Sequence, residues 1–233
     1  MEAIVLAGGF GTRLQSVVND VPKSMALVNK RPFLEYLFDY LISYEIQKVI
    51  LSVGYKHEII INHFANQYKS ITIDYAIENE PLGTGGGIRL AMWKIDGPRA
   101  LVMNGDTIFK VNYHDLMAFH LKKKSDVTLA LFQTNDTVRF GHVKLNNTTR
   151  IIGFDEKTKQ NQPGMINGGV YIIEKNFLMD SRFRGKFSIE KDCFERFYDS
   201  AHFYGYISDG YFHDIGIPDD YQKAQDDFAA FED

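Results

Sequence analysis

Ala3-Ile4-Val5-Leu6-Ala7-Gly8-Gly9-Phe10-Gly11-Thr12-Arg13-Leu14, followed at a distance by Pro22-Lys23, is the stretch on which the fold of this chain turns. Its apolar start reads as a buried strand. The strand gives way to three glycines within four positions, then a threonine and an arginine. Glycines at the carboxyl end of a strand let backbone N–H groups approach phosphate oxygens closely. Arg13 and Lys23 add positive charge at the same place. The segment predicts a cradle for a polyphosphate.

Spacing separates this cradle from the two common nucleotide loops. A mononucleotide P-loop needs glycine, four residues, then Gly-Lys-Ser/Thr, and no such run occurs. The dinucleotide fingerprint starting at Gly9 and Gly11 requires a third glycine where Leu14 stands. The second cluster, Gly83-Thr84-Gly85-Gly86-Gly87, fails the same test, with Ile88 or Leu90 at the required position.

Working outward, apolar runs at Ala3–Leu6, Lys48–Val53, Ile71–Ile77 and Ala100–Met103 read as strands. Helical spacing separates them: Phe33, Tyr36, Leu37, Tyr40 and Leu41; then Ile59, Ile60, His63, Phe64 and Tyr68; then Ile88 to Ile95. Such alternation predicts an α/β fold with a doubly wound, mostly parallel, Rossmann-like sheet. Ligands in such sheets lie beyond the carboxyl ends of the strands. The Gly8 loop and the Asn104-Gly105-Asp106 turn both follow strands at that end. The second half carries short strands at Val127–Phe132, Gly141–Leu145, Ile151–Asp155 and Met165–Ile173, which predicts a mixed or antiparallel extension of the sheet. Asp219 to Phe231 fits an amphipathic helix. The expectation is a single domain over residues 1–233, about 1–110 forming one lobe and about 111–233 the other.

Bulk properties exclude several classes. Hydrophobic residues make up 45% of the 233, enough for a substantial core. Against 26 lysines and arginines stand 30 acidic residues, a net charge of −4, so no nucleic-acid partner is expected. Lys122-Lys123-Lys124 reads as a solvated helix end. The one cysteine, Cys193, permits no internal disulfide and reads as a core residue on a helix. Neither a basic signal sequence nor an apolar run long enough for a membrane is found, so a cytoplasmic protein without a membrane partner is expected. Aromatics such as Tyr198, Phe203, Tyr204 and Tyr206 serve either the core or an interface, and a homo-oligomer stays open.

The pattern Leu-Ala-Gly-Gly-x-Gly-Thr-Arg-Leu followed by Pro-Lys resembles the sugar-1-phosphate nucleotidyltransferases, or nucleotide-sugar pyrophosphorylases, whose fold is GT-A-like. The resemblance covers essentially the whole chain and is strongest to the subfamily that activates D-glycero-alpha-D-manno-heptose 1-phosphate with GTP. It is carried by Arg13 to Lys23, Arg31-Pro32-Phe33-Leu34-Glu35-Tyr36, Leu51-Ser52-Val53-Gly54-Tyr55 and Glu80-Pro81-Leu82-Gly83-Thr84-Gly85-Gly86. Ser24 departs from the family's proline after the lysine.

The resemblance implies Mg²⁺-dependent transfer of GMP from GTP to a sugar 1-phosphate, with pyrophosphate leaving. Arg13 and Lys23 would contact the triphosphate, and Asp106 would hold Mg²⁺. Phe212-His213-Asp214-Ile215-Gly216-Ile217-Pro218 is similar to the family's Asp-x-Gly-Thr-Pro segment, with Ile217 in place of threonine; this implies Asp214 as the second metal ligand. Mg²⁺ favours oxygen over imidazole, so His213 reads as a packing or cleft-lining residue. The nucleotide would lie along Leu6, Ala7, Gly8, Gly9, Gly11, Thr12, Glu80, Pro81, Gly83, Thr84, Asn104, Gly105 and Asp106. The sugar phosphate would face Gly141, Glu156, Lys157, Asn167, Gly168 and Glu190. Alternatives within the family are a mannose-1-phosphate guanylyltransferase or a glucose-1-phosphate uridylyl- or thymidylyltransferase. A regulatory subunit that senses nucleotide sugars on the same fold is the non-enzyme alternative.

Overall fold

The computed structural model describes residues 1–9, 14, 17, 18, 20–135, 141–155 and 163–229. The first half alternates strand and helix: β1 (Glu2–Leu6), a 3-10 turn (Lys23–Met25), a small hairpin of β2 (Leu27–Val28) and β3 (Arg31–Pro32), α1 (Phe33–Ile42), β4 (Lys48–Val53), α2 (His57–Phe64), β5 (Gln67–Tyr68), β6 (Ile71–Ile77), α3 (Gly83–Met92) and β7 (Arg99–Asn104). The second half runs β8 (Thr107–Phe109), α4 (Tyr113–Lys123), β9 (Val127–Thr134), β10 (His142–Leu145), β11 (Ile151–Asp155), β12 (Gly164–Glu174) and α5 (Lys175–Leu178). It closes with a π-helical segment (Ile189–Phe194) leading into α6 (Glu195–Phe197), then β13 (Phe203–Ser208), β14 (Phe212–Asp214) and α7 (Pro218–Ala229).

An eight-stranded sheet in the order β13-β9-β12-β7-β1-β4-β6-β5 organises the molecule. β1 pairs in parallel with β4 and β7, and β4 with β6. β12 is antiparallel to both β7 and β9, and β13 returns parallel to β9. The expected α/β sheet with a mixed extension is therefore present.

Alternate residues of β1 and β4 enter two separate cores. Ala3, Val5, Val49, Leu51 and Val53 join Phe33, Leu34, Ile60, Leu116 and Phe228 from α1, α2, α4 and α7. Ile4 and Ile50 join Ile88, Met92, Leu178, Ile189 and Phe194 on the opposite face. Strands buried on both faces have no solvated side to carry polar residues, which is why they read as continuous apolar runs.

Three expectations shift. The second helix stops at Phe64, and Tyr68 belongs to β5, which pairs antiparallel with β6. Ala65 adopts φ 48°, and this left-handed residue ends the helix. The third helix begins at Gly83, earlier than helical spacing indicates, because tight packing rather than propensity places glycines there. β10 and β11 form their own two-stranded antiparallel sheet instead of joining the main one.

Candidate active site

The order β7-β1-β4 places β1 between two strands parallel to it, at the point where the strand order reverses, and the crevice opens at their carboxyl ends. Leu6 pairs with Ser52 on one side and Asn104 on the other. The Ala7 N–H donates to the Ser52 carbonyl (2.8 Å), and the Gly105 N–H donates to the Leu6 carbonyl (2.8 Å). Ala7-Gly8-Gly9 therefore leaves the sheet between Gly54 and the Asn104-Gly105-Asp106 turn. A side chain at Gly105 would stand 2.6 Å from the Leu6 carbonyl oxygen, so only glycine permits this approach.

Three charged groups from distant parts of the chain converge here. Lys23 Nζ lies 2.5 Å from Asp106 Oδ2 and 3.4 Å from Asp214 Oδ1. Asp106 follows β7, and Asp214 ends β14 opposite Thr107 of β8. The Ile215 N–H donates to the Asp106 carbonyl (3.0 Å), which fixes the two aspartate backbones side by side. Asp214 Oδ1 also accepts the Gly216 N–H. Burial, and then the adjacent charge of Asp106, push the Asp214 carboxyl above the usual carboxylate range; Lys23 and the Gly216 N–H pull the other way. Among the described residues no group of three or more His, Cys, Asp or Glu could hold a metal. Two carboxylates nonetheless fit Mg²⁺, which takes one or two from protein and the rest from phosphates and water.

Beside Gly8 lies a cleft of about 440 Å³ lined by Gly54, Tyr55, Glu78, Asn79 and Pro81 among others. Sequence reasoning passes over Glu78. Its carboxylate accepts the Leu82 N–H (2.8 Å) and the Ser52 hydroxyl (3.3 Å), tying the strand end to the glycine segment that follows. A carboxylate just beyond the end of an apolar strand, three residues before Pro81, was the available signal.

The glycines of Gly83–Gly87 are taken up by protein. Phe187 donates its N–H to the Leu82 carbonyl, and its own carbonyl accepts the N–H groups of Gly85 and Gly86. A Cβ on Gly85 would strike the Phe187 ring at 2.1 Å. The Thr84 hydroxyl donates to Glu190 Oε2 (2.9 Å) and accepts the Ile189 N–H (2.9 Å). Thr84 and Glu190, expected at the nucleotide and the sugar respectively, thus touch each other. Glu80 is exposed.

On the other side, Asn167-Gly168-Gly169 sits where the β12–β9 register shifts. Gly169 has φ +72°, and a Cβ there would stand 2.7 Å from Asn104 Nδ2, so this bulge abuts the strand end that carries Asn104 and Asp106. Asn167 Oδ1 accepts the Gly169 N–H and its Nδ2 donates to the Tyr171 hydroxyl. Gly141 precedes β10 with φ +77°. Gly11, Thr12, Arg13, Glu156 and Lys157 lie outside the described residues. His213 is buried and donates from Nε2 to the Asp220 carbonyl, away from the aspartate pair. Cys193 is buried, and burial pushes its thiol up to about 12, so it acts as a packing residue.

A strand-to-glycine loop at the switch point of a doubly wound sheet, with two aspartates and a lysine at its mouth, defines a nucleotidyltransferase. The chain belongs to the nucleotidyl transferase family, whose family model matches residues 2–230. It is 48% identical over 225 residues to a D-glycero-alpha-D-manno-heptose 1-phosphate guanylyltransferase of Aneurinibacillus thermoaerophilus, spanning 97% of each chain. A protein of the same description from Campylobacter jejuni is 44% identical over 95% of this chain and 97% of its own. HddC from Yersinia pseudotuberculosis, solved in complex with GMP-PN, superposes with a TM-score of 0.87 at 37% identity, covering 97% of this chain and 99% of that one.

Proposed function

We propose that this chain transfers GMP from GTP to D-glycero-alpha-D-manno-heptose 1-phosphate, giving GDP-heptose and pyrophosphate. The convergence of Lys23, Asp106 and Asp214 at the mouth of the Ala7–Gly9 loop carries the reading. A phosphate oxygen of the sugar 1-phosphate attacks the α-phosphorus. The bond from that phosphorus to the β-phosphate's bridging oxygen breaks, and pyrophosphate departs with the electron pair. A phosphate monoester with a second pKa of about 6 is already ionised, so the site needs no general base. Its work is to place two anions together and offset their charge.

Backbone N–H groups of Gly8 and Gly9, with Arg13 and Lys23, hold the triphosphate, and the cleft beside Gly8 takes the base. Asp106 and Asp214 would hold Mg²⁺, which when bound supplies positive charge to the phosphoryl oxygens. Gly141, Glu156, Lys157, Asn167 and Gly168 form the sugar side. Residues about 1–110 act as the nucleotide lobe and about 111–233 as the sugar lobe. A heptose product assigns the enzyme to capsule or lipopolysaccharide precursor synthesis in the cytoplasm. Among the described residues no helix is long and apolar enough to cross a membrane. Pyrophosphate release from GTP, ATP, UTP and dTTP, each paired with heptose, mannose and glucose 1-phosphates, tests the assignment. GTP with the heptose phosphate is expected to be the best pair; a faster pair overturns the substrate while leaving the reaction class.

A further inference from the structure

The two aspartates at the cleft mouth already have a counter-ion. Lys23 Nζ bridges Asp106 Oδ2 and Asp214 Oδ1, and its side chain is only 10% exposed. Among the described residues no other Lys, Arg or His forms an ion pair with either carboxylate. The carboxylates cannot swing apart to relieve their repulsion. The β8–β14 ladder sets Asp214 opposite Thr107, next to Asp106, and the Gly216 N–H pins Asp214 Oδ1. Asp106 Oδ1 accepts the Thr107 hydroxyl at 3.3 Å. The carboxylates are fixed, whereas the lysine reaches them on a flexible four-carbon stem. Among the described residues nothing lies within 4 Å of where a Cβ on Gly9 would stand.

We propose that Lys23 is a placeholder: its ammonium neutralises the Asp106–Asp214 pair until a divalent cation takes those carboxylates, and it then moves to the triphosphate over Gly8 and Gly9. The inference rests on the reading of Asp106 and Asp214 as the metal ligands. Its consequence is coupling. Phosphates draw the ammonium off the carboxylates and so open them to metal; metal, by releasing the ammonium, strengthens the hold on phosphate. Linkage makes the two effects equal. The free protein then binds divalent metal weakly, because metal must first displace a resident cation.

The test is Mn²⁺ binding to metal-stripped protein, read from the electron paramagnetic resonance of free Mn²⁺, with and without the non-hydrolysable guanosine 5′-(β,γ-imido)triphosphate and corrected for Mn²⁺ held by free nucleotide. Lys23→Met is expected to bind Mn²⁺ alone about tenfold or more tighter than the parent, the size expected from removing a unit charge at this range. The tightening caused by the nucleotide analogue is expected to shrink by a similar factor. Lys23→Gln, which retains a hydrogen-bond donor to the aspartates, gives the same readout should the methionine variant fold poorly. Tightening of equal size with and without the analogue would mean that Lys23 acts only through its charge and does not move, and no tightening would mean that it does not compete; either overturns the placeholder. Unchanged Mn²⁺ binding in Asp106→Asn, with or without the analogue, would overturn the metal reading itself and the placeholder with it.

Discussion

Asp214 shows how much of a site can be hidden in one residue. Near the end of the chain, in Phe-His-Asp-Ile-Gly, nothing but family resemblance singled it out. The β8–β14 pairing is what delivers it to Asp106. Lys23→Ala and Asp106→Asn are each expected to lower turnover by about 10²–10³-fold, the range for losing one preorganised charge-stabilising group. Circular dichroism should show both variants folded, and near-parental pyrophosphate release from either would contradict its role. A different residue contributes to acid stability. His120 is buried between the Thr128 hydroxyl and Glu174, and burial holds its imidazole below the ordinary value of about 6.5 despite Glu174. The unfolded chain therefore binds this proton more readily than the folded one. Stability is full above the ordinary imidazole range and falls as pH drops below it toward the depressed value. Melting curves should show Tm decreasing between about pH 7 and pH 5, and His120→Gln should flatten that decrease. A variant with the parental slope would exclude His120 as its source.

At the scale of elements, the informative one is α3. Its glycines discourage a helix by propensity, and spacing alone begins the helix at Ile88. The structure begins it at Gly83 because the Phe187 backbone and ring occupy the space side chains would fill. That contact joins segments a hundred residues apart, so no local pattern reveals it. Gly85→Ala should destabilise by about 1–3 kcal/mol through overpacking, and Phe187→Ala by about 3–5 kcal/mol through the cavity it leaves. The two changes meet at one contact, so the double variant should lose less than their sum; strict additivity in denaturant unfolding would contradict the contact. The strands of the first half were legible for the opposite reason. β1, β4 and β7 are buried on both faces, so their apolar runs are intrinsic to their place in the sheet. β10 and β11 read in sequence as short strands extending the sheet, yet their separation from the main sheet is set by long-range pairing that alternation does not encode. The glycine loop after β1 was legible because clustered glycines followed by a threonine and an arginine do not read as core, whereas Glu78 and the Thr84–Glu190 bond became visible only when distant elements met.

For the whole molecule, the consequence lies in the sheet. β12, from the second half, pairs onto β7, and β9 and β13 continue beyond it the same sheet that carries β1 and β4. Leu6 and Asn104, proposed for the nucleotide, and Asn167 and Gly168, proposed for the sugar, therefore stand on one continuous sheet. Calorimetry should record a single cooperative unfolding transition, and two resolved transitions would contradict that continuity. At the Lys23–Asp106–Asp214 centre a sugar phosphate oxygen is proposed to displace pyrophosphate from GTP. Mass spectrometry of products formed from GTP and heptose 1-phosphate labelled with ¹⁸O at its non-bridging phosphate oxygens tests it most directly. The predicted result is GDP-heptose retaining all of the label and unlabelled pyrophosphate, with both formed about 10²–10³-fold more slowly by Asp106→Asn. Labelled pyrophosphate, or GDP with inorganic phosphate in its place, would contradict the account.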